Sequence, residues 1–418
     1  MIIFHIDVNS AYLSWTAVEQ LKNGARTDIR TIPAIIGGDQ KSRHGIVLAK
    51  SVPAKKYGIR TGEPVANAFR KCPNLHMEAP DHEMYHKHSR ELMAFLRSYT
   101  PDIEQVSVDE CYMDFTGISG RFASPVEAAF EIKDKVKKRF GFTVNIGISD
   151  VKVLAKMASD FEKPDKVHTL FPPEIPKKMW PLPVRDLLFL GKASEQRLLQ
   201  EGIKTIGDMA RSGEAELKRI LGEKAGHQLY RYANGIDDSP VRAEREEAKG
   251  YSAETTVEED LVTYEQALAL LLAQCDVVAA RMRRDGKKCS CVAVTYRTLD
   301  FKTRSHQRAF EDPTDVTDEI FAQVKKLLYE CWKCEPLRLI GMALTDLTTD
   351  DFRQISLFEN PDEREKQKKA DEAFDDIRRR FGNGMIVRGS TMSTAGKVAR
   401  KAKAQMDQDV RIKKEKEK

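Results

Sequence analysis

Through residue 170, segments with the two-residue period of a strand alternate with segments of helical period, which restricts this part of the chain to an α/β or α+β unit. Met1 to Asp7 carries Ile2, Phe4 and Ile6 on one face, as a half-buried strand does, and Ser10 precedes a helix-like run from Ala11 to Leu21. Asp7 therefore falls at a strand-to-helix junction. Gln105 to Phe115 is rich in Val, Tyr and Phe, Val126 to Phe140 has helical spacing, and Phe142 to Ile148 alternates again. Pro172, Pro173, Pro176, Pro181 and Pro183 crowd a short stretch that reads as a boundary. Beyond it, Arg185 to Gly235 reads as short helices punctuated by glycines. A charged link, Arg242 to Lys249, leads to a second mixed unit: helix Tyr264 to Arg284, strand Ser290 to Thr298, helix Val316 to Trp332 and strand Leu337 to Leu347. After Phe358 the composition turns charged and polar, with one amphipathic segment, Ala370 to Phe381, and a Lys-rich end whose last ~20 residues are expected to be disordered.

A chain of 418 residues suits roughly three units at ~150 residues each. No stretch approaches the ~18 consecutive apolar residues of a membrane span, so no membrane role is expected. The start, Met1 to Asp7, lacks the features of a secretory signal, and seven cysteines, odd and sparse, fit a reducing cytoplasm better than a disulfide framework. Net charge is only +5, but residues 281–308 hold nine Lys or Arg against two acids, Asp285 and Asp300. Such a cluster fits a nucleic-acid backbone; the alternative is a solvated face.

Three carboxylates stand at expected strand ends: Asp7, and the adjacent pair Asp109 and Glu110. Hard oxygen ligands from two strands suit Mg²⁺, which takes a few carboxylates together with water and substrate phosphates, and two such ions serve phosphoryl transfer. The alternative is that Asp7 caps the following helix and Asp109-Glu110 is a solvated turn. The helix starting near Ser10 would point its unpaired N–H groups where a triphosphate would lie, with Lys55, Lys56, Lys156 and Lys163 as candidate counter-charges.

The ordered segments Ile6-Asp7-Val8-Asn9-Ser10-Ala11-Tyr12, Ser107-Val108-Asp109-Glu110-Cys111-Tyr112, Gly147-Ile148-Ser149 with Leu154 to Ser159, and Lys163-Pro164 resemble the motifs of Y-family translesion DNA polymerases. The nearest branch is DinB, with some UmuC-like features. The likeness continues through Trp180 to Val184, Thr205 to Asp208 and Glu254 to Thr256, covering roughly residues 1 to 358. It implies an α+β right-hand polymerase: a ferredoxin-like palm with small fingers (residues 1–170, fingers about 20–78), a helical thumb with a helix-hairpin-helix (171–240), a mixed α/β little finger (241–350) and a charged tail (351–418). It further implies that Asp7, Asp109 and Glu110, with the Val8 carbonyl, hold two Mg²⁺ for nucleotidyl transfer from a dNTP to a primer 3′-OH. Asn9, Ser10, Ala11, Tyr12, Leu48, Lys55 and Lys163 fall at nucleotide-binding positions, Tyr12 as the steric gate that rejects a ribose 2′-OH. Gly191 and Lys192 in the thumb, and Lys287, Lys288, Arg297, Lys302, Arg304 and Arg308 in the little finger, fall to primer-template DNA. Gln354, Leu357 and Phe358 resemble the peptide that binds a bacterial beta-type sliding clamp. The expectation is a low-fidelity, monomeric, cytoplasmic polymerase, nucleoid-associated when acting; the alternative is a non-catalytic clamp or repair adaptor that binds DNA.

The sequence departs from the family pattern where Val52 and Lys55 replace a Tyr and an Arg that bind triphosphate, where Leu48 roofs the nascent pair, and where Phe189 replaces a hairpin glycine. His82-Glu83-Met84-Tyr85-His86 matches the HExxH zinc pattern without an evident third ligand, and reads better as a solvated helix face. Cys289, Cys291, Cys331 and Cys334 lack zinc-knuckle framing and read as buried thiols.

Overall fold

The computed structural model describes residues 1–38, 45–244, 247–350, 361–382, 385–386 and 388. These fall into two compact units, one built on residues 1–38 and 46–244, the other on residues from 247 onward.

In the first unit the order is β1 (Ile3–Val8), α1 (Ala11–Lys22), β2 (Ala34–Gly37), β3 (Val47–Lys50), α2 (Val52–Lys56), α3 (Val65–Lys71), β4 (His76–Glu78), α4 (His82–Arg97), β5 (Ile103–Gln105), β6 (Glu110–Asp114), α5 (Pro125–Phe140), β7 (Val144–Ser149), α6 (Lys152–Asp160) and β8 (Val167–Thr169). Short helices follow: α7 (Ile175–Lys178), α8 (Lys192–Gln200), α9 (Ile206–Ser212), α10 (Glu214–Leu221) and α11 (Glu223–Ala233). β1 is the middle strand of a five-stranded sheet, β5-β6-β1-β7-β8, and is antiparallel to both neighbours. Its alternation sorts the two faces. Phe4 and Ile6 enter the large apolar core, whereas Ile3 packs with Tyr112 and Ala155 on the α6 side, which places His5 and Asp7 on that side too. α5 shows how locally the helices are specified: the Ser124 side chain caps the Glu127 N–H, Pro125 fills the first turn, Lys137 to Arg139 sit in the last turn, and Gly141 ends it at φ 77°.

The strand expected over Gln105 to Phe115 is interrupted. The Ser107 hydroxyl accepts the Asp109 and Glu110 N–H groups at 3.2 and 3.1 Å, and the Asp109 carbonyl accepts the Val8 N–H at 3.0 Å, so residues 106–109 form a turn between β5 and β6. A separate three-stranded sheet, β3-β2-β4, carries its own small core.

The second unit contains β9 (Gly250–Leu261), α12 (Tyr264–Arg284), β10 (Lys288–Thr298), β11 (Thr303–Thr314), α13 (Thr317–Cys331), β12 (Leu337–Thr348) and α14 (Pro361–Phe381). Its antiparallel sheet, β11-β10-β12-β9, is backed by α12 and α13 over a core that includes Trp332, Tyr296 and Val294. α14 begins within the segment expected as a charged tail. Its Asp371 and Arg378 are buried, Asp371 against Arg283 and Arg378 against Asp276. Gln354 to Phe358 and the Lys-rich end lie outside the described residues. No helix among the described residues is long and apolar enough to cross a membrane.

Candidate active site

The antiparallel register of β1 and β6 sets Asp7 directly opposite Glu110, and Asp109 is the last residue of the turn that starts β6. Ser107 donates its hydroxyl to Asp109 Oδ1 at 2.6 Å. Burial first, then the charges of Asp7 and Glu110, raise the Asp109 carboxyl above the usual range, against the pull of that hydrogen bond. Glu110 moves the other way, to about 2, because His5 and Lys156 face it and outweigh its burial. Two lysines lie on the cluster: Lys156 Nζ is 3.0 Å from Glu110 Oε2, and Lys163 pairs with Asp7 while sitting 2.8 Å from Asp160. Burial opposes charge on both ammonium groups, yet the surrounding carboxylates prevail and raise both.

Asp7 thus pairs with Lys163 and stands opposite Glu110 in strand register, while the N-cap position of α1 belongs to Ser10, so Asp7 is not the helix cap. Ser10 itself is left-handed at φ 48°. The donor set fits hard divalent cations: three carboxylates lie at neighbouring positions on β1 and at the start of β6 although burial, and after it the charges of Asp7 and Glu110, disfavour the charge on Asp109, and a cation offsets that cost. Among the described residues no three His, Cys, Asp or Glu side chains form a ready-made metal cage, and ammonium groups contact two of the carboxylates.

Asn9, expected at the nucleotide, is buried in the scaffold. Its amide binds Asn145 Oδ1 at 3.1 Å, its Oδ1 accepts Thr143 Oγ1 and the Asp165 N–H, and its carbonyl accepts Ser14 Oγ. Its side chain is thus engaged by the scaffold on both its amide nitrogen and its oxygen. The Tyr12 ring stacks on Tyr85 at 4.3 Å and 7°, with His82 edge-on at 5.8 Å, so its position is held from behind. Leu48 is half-buried on β3, while Val52 opens α2, half exposed, with Lys55 in its last turn. His82 and His86 lie on α4 and join no metal-ligating cluster among the described residues.

Gly191 precedes α8 and Lys192 opens it, both exposed. Phe189 stands at φ 66° and is 72% exposed, a conformation that a glycine adopts without strain. The basic residues of the second unit do not form one flat stripe. Arg304 and Arg308 pair in register with buried Tyr296 and Val292, so they lie toward the helix side of the edge strand β11, near Glu335 and Glu330. Arg297 shares the opposite face with Thr303, which accepts its Nε–H at 2.7 Å. Lys302 pairs with Asp300, and Lys287 with Glu247.

His5, Ser159, Asn145 and Asp160 complete the neighbourhood, and sequence reasoning gave none of them a role. His5 and Asp7 share a face by strand alternation, the one signal that pointed to His5.

Three family models match in order. The impB/mucB/samB family model spans residues 6–160, a thumb-domain model described for DNA polymerase-iota spans 185–237, and the impB/mucB/samB C-terminal domain spans 248–357. DNA polymerase IV of Clostridium acetobutylicum is 44% identical over 387 residues, covering 93% of this chain and 97% of that protein. The chain belongs to the Y family of translesion DNA polymerases, in the DinB branch. DNA polymerase IV 1 of Bacillus subtilis is 34% identical over 394 residues, covering 94% of this chain and 93% of its own. Among solved structures, a Y-family DNA polymerase chimera aligns with TM-score 0.70 at 21% identity, over 84% of this chain and all of the chimera, and shares the right-hand polymerase fold.

Proposed function

We propose that this DNA-directed DNA polymerase adds dNTPs to a primer 3′-OH by metal-assisted nucleotidyl transfer at Asp7, Asp109 and Glu110. The observation that carries the reading is the in-register pair Asp7 and Glu110 with half-buried Asp109 beside it, faced by Lys156 and Lys163. Two Mg²⁺ held by these carboxylates and the Val8 carbonyl would supply charge neutralisation at the α-phosphate and acidify the primer hydroxyl. The protein's own part is positioning. β1 and β6 hold the carboxylates at fixed register, and no side chain is needed as a nucleophile. Lys163 and Lys156 offset the repulsion among the carboxylates and stand ready to meet triphosphate oxygens. The N-terminal N–H groups of α1 add dipole attraction for the same phosphates. Tyr12, backed by Tyr85, is the steric gate; a ring fixed by stacking cannot swing aside for a 2′-OH.

The same reading assigns palm and fingers to residues 1–170, thumb to 171–240 and little finger to 241–350. Gly191, Lys192, Lys287, Lys288, Arg297, Lys302, Arg304 and Arg308 then contact the primer-template backbone. It takes the enzyme as a low-fidelity, cytoplasmic monomer engaging a beta-type sliding clamp through Gln354, Leu357 and Phe358. The test is single-nucleotide primer extension with Mg²⁺, wild type beside Asp109→Ala. Loss of at least about 10³-fold in the variant, with DNA binding kept, is expected. Turnover by the variant within tenfold of wild type would remove the carboxylate assignment.

A further inference from the structure

His5 lies in β1 two residues before Asp7, 1% exposed, with its ring edge-on to Tyr112 at 4.8 Å. Nδ1 is 2.8 Å from the Ser159 hydroxyl, and Nε2 is 3.4 Å from Glu110 Oε2. Ser159, fully buried on α6, reaches β1 because Gly147 in β7 has no side chain to keep that helix away.

The hydrogens decide what this arrangement does. The Ser159 hydroxyl has one proton and two neighbours at 2.8 Å: the Lys156 carbonyl, which can only accept it, and His5 Nδ1, which accepts or donates according to the tautomer. A neutral imidazole has one N–H. If Nδ1 carried it, the lone pair of Nε2 would face the Glu110 carboxylate, which is repulsive. If Ser159 donates to Nδ1, Nε2 carries the hydrogen and points it at Oε2. We propose that His5 is a positioning residue for Glu110: the Ser159 hydroxyl selects the Nε2–H tautomer, and that N–H, with Lys156 Nζ, holds Oε2 and turns Oε1 outward to a metal. Oε1 has no protein partner among the described residues. The arrangement does for a carboxylate ligand what outer-shell partners do for ligating imidazoles. It rests on the assignment of Glu110 as a metal ligand.

The experiment titrates Mn²⁺ into full-length protein and follows the electron paramagnetic resonance signal of the free ion, with a melting curve for each variant. His5→Leu should weaken Mn²⁺ binding about 10- to 100-fold and Ser159→Ala by several-fold, while His5→Gln, which returns an N–H near Oε2, should recover most of the loss. Wild-type Mn²⁺ affinity in both His5→Leu and Ser159→Ala, while Asp109→Ala loses it, overturns this proposal alone; wild-type affinity in Asp109→Ala as well overturns the metal reading beneath it. A loss in His5→Leu that His5→Gln does not recover, with Ser159→Ala unchanged, means the ring only fills space and also overturns it. If His5→Leu fails to fold, Ser159→Ala, which deletes one oxygen, decides.

Discussion

Gly147→Ala tests the idea that the active site depends on one close approach between α6 and the sheet. A Cβ at Gly147 would stand 2.0 Å from the Ala155 carbonyl oxygen, 2.4 Å from the Ser159 nitrogen and 3.0 Å from the Ala158 carbonyl carbon. All three are backbone atoms of α6, so no rotamer change relieves them. Bringing the shortest contact out to 3.0 Å moves the helix by about 1 Å, the difference between 3.0 and 2.0. Overpacking of this kind costs ~1–3 kcal/mol, and a clash with backbone belongs at the upper end, about 3 kcal/mol. The functional cost is separate. α6 carries Lys156 and Ser159, so the same movement displaces the groups that contact Glu110 and His5, and an error of about 1 Å in a catalytic array lowers turnover ~10²-fold. Steady-state single-nucleotide insertion and urea unfolding followed by tryptophan fluorescence measure both, with Gly120→Ala as control because nothing lies within 4 Å of its Cβ position. Wild-type insertion together with an unshifted midpoint in Gly147→Ala would refute the reasoning.

Tyr12→Ala should raise ribonucleotide insertion relative to dNTP by about tenfold or more, read by parallel kinetics with the two nucleotides; unchanged sugar selection reduces Tyr12 to a packing residue stacked on Tyr85. Asp276→Ala removes the partner of Arg378 Nη2 at 3.1 Å and of Arg388 Nε at 2.9 Å in a buried setting, and should destabilise the second unit by ~3–5 kcal/mol; a melting temperature within about a degree of wild type refutes that value. Replacing Leu357 and Phe358 together by Ala should reduce clamp-stimulated synthesis several-fold and leave clamp-free synthesis intact; equal stimulation discards the peptide.

Elements whose pattern is fixed by their own residues were readable in advance. α12 runs from Tyr264 to Arg284 as expected, because Thr263 and Gln266 form a reciprocal cap and the long, largely apolar middle, Leu270 to Ala279, is buried throughout. β9 and β11 were not recognised. β11 is an edge strand whose Thr303 to Gln307 are all exposed, so it carries no apolar alternation to read. The break at residues 106–109 was hidden for a different reason: Val106 and Val108 suit a strand, but Ser107 captures two backbone N–H groups and ends the ladder. In the site, the carboxylates and lysines were visible by type. That His5 and Ser159, 154 residues apart, touch was not, since their contact depends on how closely α6 lies over a glycine.

α14 alters what the preceding stretch of chain can be. β12 ends at Thr348 and the helix begins at Pro361, so the twelve residues between are fastened at both ends to one folded body. A strand of that length hanging free could stretch about 40 Å; returning to its own domain, it reaches no more than about 20 Å. A clamp that captured Leu357 and Phe358 would be moored close alongside the second unit, not trailed on a long line. Its distance from the enzyme would then be set by the ion pairs that dock a helix.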